Sequence, residues 1–120
     1  MNKRRQALGR WGEEIATRYL EGRGYAILAR NLRTAHGELD IVASKEGMLV
    51  FVEVKARSSV DYGFPEEAVS LRKQAHLLAA AEAYLAQHPD SPETWQFDII
   101  AITFRTGQVP EIEHFENVIR

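Results

Sequence analysis

Residues 37–57 read Gly37-Glu38-Leu39-Asp40-Ile41-Val42-Ala43-Ser44-Lys45-Glu46-Gly47-Met48-Leu49-Val50-Phe51-Val52-Glu53-Val54-Lys55-Ala56-Arg57. Two apolar runs flank Ser44-Lys45-Glu46-Gly47, a tight-turn sequence, so the segment predicts a β-hairpin. Side chains alternate along a strand. Phe51, Glu53, Lys55 and Arg57 therefore share one face, and Val50, Val52, Val54 and Ala56 share the other. In the first strand Asp40 falls with Glu38 and Val42, while Leu39 and Ile41 face the opposite way. From Met48 to Val52 both faces are apolar, the pattern of a central strand covered on both sides. The hairpin brings Asp40 near Glu53.

Charges that continue an apolar strand need a physical reason, because burying an ion costs several kcal/mol unless it is paired or bound to a metal. Two reasons are open. One is a same-face Glu53–Lys55 ion pair at the wet end of the strand. The other adds Asp40: carboxylates from neighbouring strands, with no soft ligand near, suit a hard divalent cation such as Mg2+ or Mn2+. Lys55 would then lie against a phosphate or orient an attacking water while the metal balances developing charge. Phosphodiester hydrolysis uses all three parts.

These residues resemble the PD-(D/E)XK nuclease superfamily, whose core pattern is an Asp on one hairpin strand and Glu-X-Lys on the next. Gly37 to Val42 followed by Phe51 to Arg57 is more closely similar to the bacterial YraN-like family, related to archaeal Holliday-junction resolvases. The resemblance extends to Gly12-Glu13 with Ala16, Gly24-Tyr25, Asn31, Arg33, Lys73 and Phe97-Asp98. The short Asp…Glu-X-Lys pattern alone is common by chance; its flanking words in order make it specific. The resemblance implies a restriction endonuclease-like fold, a first-helix acid at Glu13 near the metal, and a homodimer whose two sites cut paired strands. Leu39, not proline, precedes Asp40, a departure from the superfamily's name at a position that varies in such families.

The chain has 120 residues, 45% of them hydrophobic, which suits one domain spanning 1–120 with a real core. It has no cysteine, which excludes disulfides and thiolate metal sites and is compatible with a reducing cytoplasm. Polar and charged residues interrupt the N-terminal segment and no run reaches membrane-spanning length, so a cytoplasmic protein without membrane partners is expected. A net charge of −2 carries no global nucleic-acid signal, so attraction to a phosphate backbone must come from a local patch.

Periodicity predicts a helix over Leu8–Arg23, a strand over Tyr25–Arg30, a polar connection over Leu32–His36, the hairpin, and a loop over Ser58–Pro65. A second helix spans Ser70–Gln87, with Ser70 as its cap, followed by strands over Trp95–Phe104 and Val109–Phe115. The order α-β-β-β-α-β-β makes an α/β fold, a mixed sheet flanked by helices. Helical geometry puts Glu14 on the solvated side with Arg18, its i,i+4 partner, and Glu13 at the border of the apolar stripe. Lys73 and Arg72 occupy the first turn of the second helix, where an anion would be welcome. Lys73, Arg57 and Arg33 are the candidate phosphate contacts, with His36 as a further loop candidate. Asp98 reads as an acceptor for a neighbouring loop or a partner for a basic residue. Trp11 and Trp95 read as core. No recognition helix, zinc module or Gly-rich phosphate loop is visible.

The expectation is a metal-dependent endonuclease acting on DNA, branched or single-stranded, with Asp40 and Glu53 on the cation, Glu13 completing the site through water, and Lys55 at the phosphate. The alternative is a noncatalytic nucleic-acid-binding or assembly protein that retains the fold.

Overall fold

Glu46 and Gly47, both with positive φ (50° and 78°), form the two-residue turn that joins strand β2 (Gly37–Lys45) to strand β3 (Met48–Arg57). That mirror-image turn matches the twist of antiparallel strands and fixes the hairpin register, with Ile41 opposite Val52 and Lys45 opposite Met48. The computed structural model describes residues 3–58 and 70–119, with side chains from residue 7 onward. Beyond Ser58, the predicted loop Ser58–Pro65 lies outside the described residues.

Around the hairpin the elements follow the predicted order: α1 (Lys3–Gly22), β1 (Ala26–Thr34), β2, β3, α2 (Leu71–Gln87), β4 (Thr94–Thr103) and β5 (Glu111–Phe115). The sheet runs β1-β2-β3-β4-β5, mixed, with β3 at its centre. β3 pairs antiparallel with β2 and parallel with β4, from Met48 opposite Thr94 to Arg57 opposite Thr103. The parallel pairing requires a crossover, and α2 supplies its helix. Ser70 starts α2 as predicted: its Oγ accepts the Lys73 N–H at 3.1 Å.

The two faces of β3 divide the core. Val50 and Val52 pack with Ala16 and Leu20 of α1 and with Ile100 and Ile102 of β4. Phe51 packs on the other side with Leu77, Ala81 and Tyr84 of α2, and its ring stacks on Phe97 at 5.1 Å between centroids. Trp95 joins this layer, edge-on to Phe51. No helix among the described residues is long and apolar enough to cross a membrane.

Two local features depart from simple alternation. β1 continues through Thr34, taking in Leu32–Thr34 of the segment expected to be a polar connection and leaving Ala35 and His36 as the turn. It does so through Asn31, whose φ of 50° is left-handed backbone that asparagine tolerates better than most residues. Asn31 lies between the pairs Arg30–Ile41 and Leu32–Leu39, and so stands opposite Asp40. On both strands the phase changes there. Leu39 and Val42 pack on the α2 side while Ile41 and Ala43 pack on the α1 side, so Leu39 and Ile41 do not share a face as alternation predicts.

The second departure is Trp11, which is 63% exposed and not a core residue. It opens the row Trp11, Ile15, Tyr19 on α1, and the last two pack against the core. At the position of Trp11, however, the helix has reached the end of β3. Gly12 lies so close to Ala56 that a Cβ on it would meet the Ala56 Cβ at 2.7 Å.

That approach generates a paired expectation. Gly12→Ala should destabilise by about 1–3 kcal/mol, because overpacking outweighs the gain of about 1 kcal/mol that alanine brings to a helix. Gly9→Ala, with nothing within 4 Å of the added Cβ, should be neutral or stabilising by up to about 1 kcal/mol. Urea denaturation of both variants checks the pair; equal effects would refute the close-contact account.

Candidate active site

The β2–β3 ladder stops at Ile41 opposite Val52. Extending it by one residue sets Asp40 against Glu53, but the backbones no longer pair there. Instead Asp40 Oδ2 accepts the Val54 N–H at 2.9 Å, so a side chain takes the place of a ladder bond. The strands part at this point, and acids from three elements enter the gap.

Glu13 of α1, Glu38 and Asp40 of β2 bring one carboxylate oxygen each to within 4.8 Å of one another. Glu13 reaches the group because Gly12 lets α1 settle onto Ala56. Among the described residues, the one cation within ion-pair distance of these three carboxylates is Arg33, 3.9 Å from Glu38 and well exposed. Like charges this close repel by roughly 3 kcal/mol per pair at an effective dielectric near 20. Burial, then the Glu53 charge, then those of Glu13 and Glu38 push Asp40 up from 3.8 to about 7, against the pull of its bond from Val54.

Glu53 is buried, 8% exposed, on the α2 side of β3. Its Oε1 lies 3.6 Å from Lys55 Nζ and 3.4 Å from Lys73 Nζ. Lys73 thus reaches the site from the first turn of α2. The arrangement is bipolar: oxygens converge at Asp40, and two half-exposed ammonium groups stand beyond Glu53.

The sequence-predicted residues are distributed as follows. Glu13, Asp40, Glu53, Lys55 and Lys73 are gathered at the end of the split hairpin. Arg33 borders the group through Glu38. Arg57 lies at the end of β3, where its Nε donates to Thr103 Oγ1 at 3.4 Å. His36 sits in the exposed β1–β2 turn, its N–H donating to Thr34 Oγ1. Glu14 stays outside, held by Arg18 and Arg30 at 3.2 Å each. Glu38 was not singled out from sequence; its signal was the shared parity with Asp40.

A second group, Asp98, His114 and Glu116, also has converging ligand atoms. Its chemistry differs. Asp98 is fully buried and satisfied: Gln96 Nε2 and the Asn117 N–H donate to Oδ1 at 2.9 and 3.0 Å, and His114 Nε2 lies 2.8 Å from Oδ2. The other ring nitrogen of His114 lies 3.2 Å from the Tyr19 hydroxyl. This network ties α1, β4, β5 and the tail together.

A sequence model of a family described as "Uncharacterised protein family UPF0102" matches residues 12–102. A UPF0102 protein of Syntrophotalea carbinolica is 50% identical over 115 residues, covering 96% of this chain and 93% of that one. Relatives of the same description in Pelotomaculum thermopropionicum and Geobacter metallireducens are 46% and 45% identical, covering 94% and 98% of this chain and 95% of each relative. The matched span holds every acid and lysine of the split hairpin.

The raised Asp40 has a definite consequence for stability. The folded chain holds this proton to about pH 7, whereas an unfolded aspartate releases it near 4. Between those values the folded state binds more protons, so this contribution is complete below about pH 4 and is lost as pH rises to about 7. Relative to Asp40→Asn in chelator, the wild type should lose stability across that window. At pH 8, Mg2+ or Mn2+ should raise the wild-type urea midpoint and leave the variant almost unmoved. A wild-type-minus-variant difference that is flat with pH would sink this reading.

Proposed function

The chain belongs to the UPF0102 family, and we propose that it is a metal-dependent phosphodiesterase acting on DNA, a nuclease of the PD-(D/E)XK type. The observation that carries this reading is the convergence of Glu13, Glu38 and Asp40 beside a Glu53–Lys55–Lys73 cluster. An all-oxygen donor set fits Mg2+ or Mn2+, and the burial and mutual repulsion that raise Asp40 are what a cation offsets. When bound, the ion supplies Lewis-acid chemistry, neutralising charge at the phosphate and lowering the pKa of water.

The chain's own residues do the rest. Glu13, Glu38 and Asp40 would hold the ion, and the Val54 N–H fixes the Asp40 carboxylate. Glu53 completes the negative wall and aims two ammonium groups with its Oε1. Lys55 donates to a phosphoryl oxygen or to the attacking water, and Lys73 accepts the negative charge of the incoming backbone. Water adds to phosphorus, the bridging oxygen leaves and takes up a proton, and the strand is cut. Arg33 and Arg57 flank the path of the backbone. A second reading has its own support: with both lysines on Glu53, the cluster is also a sound ion-pair network, as in a noncatalytic nucleic-acid-binding protein that keeps the fold.

A panel of single-stranded, branched and duplex DNA with Mg2+ or Mn2+ separates the two. The expected outcome is metal-dependent cleavage that falls by about 100-fold or more in Lys55→Ala, with metal binding retained. Asp40→Ala should lose both. DNA binding by the folded wild type without cleavage of any substrate would favour the noncatalytic reading.

A further inference from the structure

Trp11 is the large aromatic residue that the core leaves out. At 63% exposed it stands at the end of α1 that overhangs β3 and β4, with Phe104 beside it at 6.4 Å between ring centroids and a 53° tilt. Phe104 is tied to the same strand end, since its N–H donates to the Arg57 carbonyl at 2.8 Å. Trp11 precedes Gly12, which packs on Ala56, the residue after Lys55. Glu13, two residues on, lies in the carboxylate group. The ring is therefore carried by the same helix as Glu13, two residues before it, at the end of β3.

Its surroundings favour a nucleobase over a protein partner. Arg10 beside it is exposed. Of the other large apolar side chains exposed among the described residues, Leu28 and Leu71 lie on β1 and α2, and Val109 lies in the β4–β5 connection. One ring offers at most about 250 Å2, whereas a stable protein interface takes roughly 800 Å2 from each partner. A flat ring next to a cation, on the helix that carries an acid of the proposed site, is how single strands are held, through base stacking with no sequence demand.

We infer that Trp11, backed by Phe104, is a stacking platform for an unpaired base of the strand entering the site, so that the substrate carries a single-stranded segment. This rests on the nuclease reading for what the strand is doing there. Fully paired DNA has no base to offer this ring. The platform thus selects flaps, gaps or branched ends over blunt duplex.

The test uses the full chain with Lys55→Ala, so that no binding result depends on cleavage, and with Trp95→Phe, so that fluorescence reports Trp11. Titration with a 12-nucleotide oligothymidylate should quench the emission, and a blunt hairpin duplex should not. Trp11→Ala on the Lys55→Ala background should weaken oligothymidylate binding about 5- to 100-fold, the range of one base–aromatic stack, and leave duplex affinity unchanged. Trp11→Tyr should restore most of it. Unchanged oligothymidylate affinity in Trp11→Ala, no oligothymidylate binding by the parent, or a dimer that dissociates on that substitution would each overturn the inference. Trp11-dependent binding in a chain whose wild type never cleaves would sink the nuclease reading alone; cleavage by a Trp11→Ala variant that keeps full oligothymidylate affinity would sink the platform alone.

Discussion

Mutual repulsion among carboxylates is the constraint on which the rest of this molecule turns. Glu13, Glu38 and Asp40 sit within 4.8 Å of each other, and Glu53 adds its charge from the next strand. Left to themselves such groups would separate or protonate, and burial together with this repulsion keeps the Asp40 proton to near neutrality. The fold prevents separation. Ala16 and Leu20 anchor α1 to one face, Leu77, Ala81 and Tyr84 anchor α2 to the other, and β3 is paired along both edges until the acids begin. Hydrophobic burial thus holds an electrostatically unfavourable cluster in place.

The opening between β2 and β3 makes the cluster accessible from both layers. If the ladder continued past Ile41, Asp40 and Glu53 would be adjacent residues of a closed sheet, and Glu13 and Lys73, from helices on opposite faces, would not meet them. The Asn31 conformation opposite Asp40 changes the phase of both strands, and the Asp40 carboxylate takes over the Val54 N–H that pairing abandons. A strained backbone residue beside a broken ladder, at the point where four elements converge, is where strain is usually stored for function.

Much of this was legible in the chain. The alternation of Val50, Phe51, Val52 and Glu53 assigns each to its observed layer, and the turn at Glu46-Gly47 fixes the register that opposes Asp40 to Glu53. Ser70 caps α2, and Glu14 pairs with Arg18, for reasons local to a helix. The misses are non-local. Period-2 reading assumes unbroken strands, so it set Leu39 with Ile41 and ended β1 before Leu32; one left-handed residue, Asn31, undoes both. Helical periodicity assigned Trp11 to the core because it follows the row of Ile15 and Tyr19, but a helix face is buried only where something lies beneath it. β3 and β4 end at Arg57 and Thr103, and no pattern within α1 encodes where another element stops.

Comparing the two carboxylate groups separates scaffold from site. Asp98 is more deeply buried than Asp40, yet each of its oxygens meets a donor, and the His114–Tyr19 link extends the network to α1. Such a group is complete, and its role is to bind β5 and the tail to β4. Asp40 has one backbone donor and three like charges facing it. Burial alone therefore does not mark a functional acid. The mark is burial with a deficit of donors that the surrounding fold refuses to relieve, and here the lysines that could relieve it are held by Glu53 instead. That division of labour, acids on one side of Glu53 and ammonium groups on the other, is what the proposed reading draws on when it assigns a cation to the first and a phosphate to the second.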